Sequence, residues 1–193
     1  FDESKPALTD SVGPGFPLFI TPIIFFFGVN IPILILWNSI FQSLSIIIVY
    51  KTSNLIFNNH KTSFLITIWM TFYWYHILYT GRILKESLLI FLIISVTYFF
   101  ILAIKSKKNY TPLIIVSLIF VYLFHTDERY LMYFPIFIIG FLFNKNMDIN
   151  LKMKNIIVFS ILIISFSLPW FYRNYLRYDE FKILTPRTHN IIL

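Results

Sequence analysis

The sequence predicts an all-α polytopic membrane protein, with about six transmembrane helices and one short juxtamembrane helix. Three observations predict it. Of 193 residues, 58% are hydrophobic and only 13% charged, against roughly 45–50% apolar and about 25% charged in a soluble domain. Charge-free stretches recur near the roughly 17–25 residues that a spanning helix needs. The charges between those stretches segregate by type. A chain this apolar cannot cover itself with polar surface, which excludes a water-soluble enzyme and a nucleic-acid binder, although the formal charge is +7. There is no cysteine, so neither a disulfide framework nor a thiolate metal site is available.

Residues 11–50 carry no charge but are interrupted by Pro14, Pro17, Pro22, Gly28 and Pro32. That stretch is too long for one helix and too broken for two, which predicts a juxtamembrane helix over 16–27 and a span over 31–50. Further spans are predicted over 63–81, 87–104, 109–125, 130–144 and 155–171. Those at 109–125 and 130–144 are short and separated only by His125-Thr126-Asp127-Glu128-Arg129, so they read as a hairpin with a charged tip. Residues 1–15 are read as the end of a first outer loop, 28–172 as the helix bundle, and 173–193 as the start of another outer loop. The chain opens on Phe1 and is read as an internal fragment, with an N-terminal helix and a C-terminal part missing.

Alternating sides places Lys51–Lys61, Lys105–Lys108 and Lys145–Lys154 together. These connections hold eight lysines, no arginine and one acid, Asp148. The other side receives all five arginines and eight of the nine acids. Basic residues tie at eight per side, but over the short interhelical connections they run eight to three, favouring the lysine side as cytoplasmic. Lysine alone is ordinary topogenic charge. Arginine beside carboxylate at membrane ends suits planar, bidentate binding of phosphate, so the site is expected on the arginine side, facing outward.

Three clusters fall on that side. Asp10-Ser11-Val12-Gly13-Pro14-Gly15-Phe16-Pro17-Leu18-Phe19 is a rigid turn ahead of an apolar helix, with Asp10 a helix-start partner. Tyr79-Thr80-Gly81-Arg82-Ile83-Leu84-Lys85-Glu86-Ser87-Leu88 places a carboxylate at a helix N-terminus, where it complements the macrodipole. With Arg82 and Lys85 within a turn, Glu86 is equally suited to holding a metal ion or orienting a phosphate. The third cluster combines the hairpin tip with Leu168-Pro169-Trp170-Phe171-Tyr172-Arg173-Asn174-Tyr175. There Trp170, Tyr172 and Tyr175 read as an interfacial belt, Arg173 and Arg177 lie four apart, and Arg129 must snorkel or find an anion. His60 reads as solvated; His76 either bonds a neighbouring helix or reaches the site. Phosphate loops, nucleophile elbows and HExxH are absent. The remaining chemistries need only carboxylates and cations, and sugar transfer from a lipid-linked phosphate is one of them.

Gly13-Pro14-Gly15-Phe16-Pro17-Leu18-Phe19, followed by Phe26-Phe27-Gly28, resembles a stretch of the polyprenyl-phosphate-sugar-dependent membrane glycosyltransferases with the GT-C fold. These are the relatives of the protein mannosyltransferases and the lipid A aminoarabinose transferases. Tyr79 to Leu88 is similar to their segment ending in TE-x-L, with Lys85 in place of the usual threonine. Leu168 to Tyr175 is similar to their PW-x-x-RNY motif, the most specific of the three. The matches occur in the family's order. The resemblance implies an inverting transferase that moves a sugar from a polyprenyl-phosphate donor to a lipid, protein or glycan acceptor on the outer face. It implies Glu86 as an active-site carboxylate or metal contact, with a divalent ion as candidate cofactor. Arg129 and Arg173 become candidates for the donor phosphate, and Arg82, Lys85, His125 and Asn174 line the same side. The family's catalytic base is an aspartate of the first outer loop. Asp2-Glu3 lies closer to the Gly-Pro-Gly turn than that pair should, so the base is expected outside this fragment, which alone is inactive. A transporter or flippase for a lipid-linked or anionic solute is the alternative, although such proteins carry ionisable groups near the midplane. A structural subunit is the third reading.

Overall fold

The structure, a computed structural model, describes residues 13–106, 110–145 and 147–178, without the side chains of His76, Thr80, Arg177 and Tyr178. Asp2, Glu3, Lys5, Asp10, Lys107, Lys108 and everything from residue 179 onward lie outside the described residues. The described residues fold into helices, with no strand among them. In chain order these are α1 (Gly15–Phe27), α2 (Ile31–Phe57), α3 (His60–Thr71), α4 (Trp74–Thr80), α5 (Lys85–Lys105), α6 (Thr111–Thr126), α7 (Phe134–Leu142) and α8 (Ile149–Tyr178). A 3-10 turn, Glu128–Tyr133, leads into α7.

The helix ends are written in side chains. Asn30 caps α2 by accepting from the Ile33 amide, and Pro32 sits in the first turn, where its missing N–H costs nothing. At the far end Asn58 takes a left-handed conformation (φ 49°), and Asn59 immediately caps α3 by accepting from Lys61 N and Thr62 N. Two asparagines thus reverse the chain in two residues, as their tolerance of that conformation and their capping strength allow. Pro112 and Pro135 open α6 and α7 in the same manner as Pro32.

Three helices, α2, α5 and α8, are long and apolar enough to cross a membrane. The sequence predicts six spans, and the other three segments are shorter or broken. At 16 residues, α6 reaches about 24 Å, short of a hydrocarbon core of about 30 Å. The 63–81 segment divides into α3 and α4 around Phe72 and Tyr73, and 130–144 divides into the 3-10 turn and α7. In the opposite sense, α8 runs through residues 173–178, read from sequence as loop. Arg173 and Asn174 therefore stand on a helix.

Successive segments alternate in direction between two ends of the bundle. At one end Asn38 Nδ2 donates to Arg82 O at 2.8 Å, and Lys85 reaches Asp127. At the other, Lys105 Nζ donates to Leu55 O, Asn144 Nδ2 to Ile104 O at 2.9 Å, and Lys152 Nζ to Leu142 O at 2.8 Å. Arg82, Arg129 and Arg173 stand at the first end together with Lys85, and Lys51, Lys105 and Lys152 at the second.

Large apolar side chains cover much of the outside, and small polar residues share the interior with the apolar core. Phe25, Val29, Trp69 and Phe143 are about 80% exposed, while Asn38, Gln42, Ser45, Ser63, Ser87, Ser95, Ser117, Asn155 and Ser167 are buried. The buried serines satisfy themselves locally. Ser45 donates to Phe41 O, Ser95 to Phe91 O, Ser117 to Leu113 O and Ser167 to Ile163 O, each at 2.7–2.9 Å. Small polar residues let helices approach closely where lipid gives no hydrophobic drive for association. The apolar core lies among α5, α6, α7 and α8, around Phe120, Phe141 and Phe159, all fully buried. Phe137 meets Phe120 edge-on at 5.1 Å, and Phe134 stacks on Phe159 at 6.0 Å.

Candidate functional site

Residues 125–129, at the C-terminal end of α6, join the elements of the arginine end. Asp127 is buried, and its carboxylate is shared by two cations from different elements. Lys85 Nζ at the start of α5 lies 2.8 Å from Oδ2. Arg129 forks onto the same carboxylate, Nε to Oδ1 at 2.9 Å and Nη2 to Oδ2 at 2.6 Å. The Arg129 amide also donates to Oδ1 at 3.2 Å, so Asp127 caps the 3-10 turn as well. The hydrogen bonds from the Arg129 side chain, seconded by Lys85, hold the Asp127 carboxyl far below the usual carboxylate range against the opposing effect of burial. Asp127 in turn pushes the Arg129 guanidinium up. It was legible in the sequence only as part of a charged hairpin tip. The signal that could have singled it out is the Asp-x-Arg spacing, where an acid in an extended conformation caps the next turn and pairs with a side chain two residues on.

Glu86, in the first turn of α5, is half-buried, and its Oε2 atom is buried without a hydrogen-bond partner among the described residues. Its charge bears on Arg129 and Tyr130. A buried, unsatisfied carboxylate oxygen is costly unless a ligand or proton completes it. Arg82 is exposed, and its carbonyl accepts from Asn38.

The Gly-Pro-Gly turn lies directly on α6. A Cβ on Gly13 would run into the His125 carbonyl oxygen, and one on Gly15 would run into Thr126 Oγ1 and come within 2.7 Å of Thr126 Cα. Tyr122 Oη donates to Gly15 O at 2.8 Å, closing the contact. Glycine is required here because two backbones touch.

Beside that contact opens a groove of about 660 Å³. Pro14, Gly15 and Leu18 form one wall, Leu118, Val121, Tyr122 and His125 of α6 the floor, and Phe166, Pro169, Trp170 and Arg173 of α8 the other wall. It is apolar almost throughout, with Arg173 its one formal charge among the described residues. The guanidinium carbon lies 4.4 Å over the Trp170 ring, and Nη1 donates to Oδ1 of the buried Asn174 at 3.1 Å. Stacking on one face and a hydrogen bond at one edge fix the plane of the fork. His125 packs between Phe124 at 4.4 Å and Trp170 at 6.1 Å, with Nε2 buried and without a partner among the described residues.

The structure thus brings together Arg173, Asn174, His125 and the Gly-Pro-Gly turn around the groove. It joins Lys85 and Arg129 through Asp127, with Glu86 alongside. Tyr122 is a groove residue that sequence reasoning did not select. Among the described residues no ligand set for a divalent metal is assembled. Glu86 offers one open oxygen, Asp127 is occupied by two cations, and among the described residues no three His, Asp or Glu gather.

Comparison with known proteins gives no match: no family model, no curated protein and no solved structure is significantly similar to this chain.

Proposed function

We propose that the chain is the membrane part of an inverting glycosyltransferase, taking a sugar from a polyprenyl-phosphate donor at the arginine end and giving it to a lipid, protein or glycan acceptor. The arginine end would face outward from a bacterial cytoplasmic membrane, with the lysine end inside, as the connection charges favour. The observation that carries the reading is the groove: an apolar trough ending at one oriented guanidinium. That is the shape of an amphiphile whose long apolar chain ends in phosphate. The neighbouring cluster of Lys85, Arg129, Asp127 and Glu86 sums to no formal charge, so Arg173 is the better phosphate partner and the cluster supplies orientation.

In such a transfer an acceptor hydroxyl loses its proton to a base and attacks the anomeric carbon. The bond from that carbon to the phosphate oxygen breaks, and the phosphate leaves with the electron pair. Arg173 would meet the charge that grows on the leaving phosphate. Glu86, with one oxygen open, would accept a hydrogen bond from a sugar or acceptor hydroxyl. The base would come from the first outer loop, outside the described residues. No step is assigned to a metal.

In the intact, membrane-embedded protein, Arg173→Ala and Glu86→Gln are each expected to lower sugar transfer by about 10²–10³-fold, while the protein stays in the membrane in normal amount. Transfer assays on membranes, normalised to protein by immunoblot, check this. Wild-type rates in both variants would remove the site assignment.

One observation favours transport as the second reading. The break between α3 and α4 borders a cavity of about 410 Å³ lined by Ser39, Gln42, Ser43, Ile46, Thr71, Ile77 and Gly81, and discontinuous helices are where transporters bind solutes. That cavity holds no charged residue. Solute uptake into proteoliposomes, together with absence of transfer, would favour this reading over the first.

A further inference from the structure

The lysine end carries a second concave site, built from residues that the transferase reading does not use. A pocket of about 620 Å³ opens between the C-terminal part of α2 and α5. Tyr50, Lys51, Asn54 and Asn58 line it from α2 and its cap, and Tyr98 and Lys105 from α5. Lys51, Asn54 and Asn58 recur at a spacing of three and four residues, so α2 turns one polar face to the pocket. The polar lining comprises two ammonium groups, two phenols and two amides. It is rich in donors, and no carboxylate is among them.

Two details make this more than a patch of topogenic lysine. Lys105 is held across the pocket by donating to Leu55 O. That bond satisfies a carbonyl in the last turn of α2, where unpaired carbonyls would otherwise repel an anion, and leaves the ammonium two further donors. Lys51 is exposed and makes neither an ion pair nor a side-chain hydrogen bond among the described residues. The three connections of this end hold eight lysines against one acid, Asp148, so their charge is strongly positive. Tyr50 is fixed by its Oη lying 3.0 Å from His60 Nδ1.

We propose that this pocket binds a phosphate group, with Lys51 and Lys105 as the charged contacts and Tyr98 and Asn54 as neutral donors. Basic pockets between membrane helices on the cytoplasmic side are suited to anionic headgroups, and lysine is an effective point-charge partner for phosphate. The same chemistry serves a phosphodiester in an anionic lipid or a soluble phosphate compound.

The test uses the protein in nanodiscs of neutral phosphatidylcholine, either doped with phosphatidylglycerol or supplied with inorganic phosphate. Retained lipid is read by native mass spectrometry and thermal midpoint by intrinsic fluorescence. The variant is Lys51→Gln with Tyr98→Phe, which leaves the Lys105 to Leu55 bond in place. Lys51→Gln alone, at an exposed position, serves if the double variant folds poorly, and Lys61→Gln is the control for general charge. Retention of phosphatidylglycerol falling about tenfold in the variant but less than twofold in the control supports a lipid headgroup. A midpoint raised by inorganic phosphate in the wild type and not in the variant supports a soluble phosphate compound. Equal behaviour of variant and control, or no response to either ligand, overturns the proposal.

Discussion

Replacing Asp127 by alanine is expected to destabilise the protein by about 3 kcal/mol, within the range for removing one partner of a buried ion pair. Its carboxylate is the point where α5, the end of α6 and the turn into α7 meet. It accepts from Lys85, from the Arg129 side chain twice and from the Arg129 amide. Without it the Arg129 amide loses its cap and two cations are left facing each other. Because both cations reach solvent, the cost stays at the lower end of the range for buried pairs. The pH dependence follows from the depressed acidity of the folded carboxyl. A group whose folded value lies below its unfolded one contributes its full stabilisation above the unfolded value, about pH 4, and loses it as pH falls from there through the folded value. Asp127 therefore adds no slope between neutrality and about pH 5. Thermal unfolding in detergent should show the difference between wild type and Asp127→Ala constant over that interval and shrinking in stronger acid.

Gly15→Ala is expected to cost about 1–3 kcal/mol through overpacking and to distort the groove together with it. The added methyl meets Thr126 in side chain and backbone, and a helix backbone cannot yield as a side chain end can. The Gly-Pro-Gly turn must lift from α6, which breaks the Tyr122 to Gly15 bond and moves Pro14 and Leu18, one wall of the groove. Tyr122→Phe separates the two effects. It removes only the hydrogen bond, worth about 1 kcal/mol, and keeps the wall in place. Unfolding midpoints together with ligand binding for both variants should therefore show a loss of binding in Gly15→Ala that exceeds its loss of stability relative to Tyr122→Phe. Equal behaviour of the two would mean that the glycine matters only for the fold.

The helical architecture and its two ends were legible because they rest on local signals. Charge-free runs mark the helices over a few residues, and alternating those runs separated Lys51, Lys105 and Lys152 from Arg82, Arg129 and Arg173. Helix lengths were less legible. Apolar runs do not reveal that Phe72 and Tyr73 break a helix, since no proline, glycine or charge marks the position. Nor do they reveal that α8 continues past Pro169 to Tyr178, since proline within a helix is tolerated where neighbours re-satisfy the backbone. The candidate residues were found by charge and position, but their grouping depends on tertiary contacts. Sequence placed Arg129 and Arg173 in one cluster, whereas Arg129 is engaged by Asp127 and Arg173 by Trp170 and Asn174. Asp127 went unselected because an acid in a charged loop looks solvated until its burial is seen. The groove was illegible, since its walls come from three helices far apart in sequence.

The central proposal is that the groove holds a polyprenyl chain with its phosphate at Arg173. Binding of a short-chain polyprenyl phosphate to the protein in neutral nanodiscs, compared with the corresponding uncharged polyprenol, tests this most directly. The phosphate should bind at least about tenfold more tightly than the alcohol, the gain of one charge-assisted bidentate contact, and Arg173→Ala should abolish that preference while leaving binding of the alcohol unchanged. Equal affinity for phosphate and alcohol in the wild type, or a preference that survives in Arg173→Ala, would contradict it.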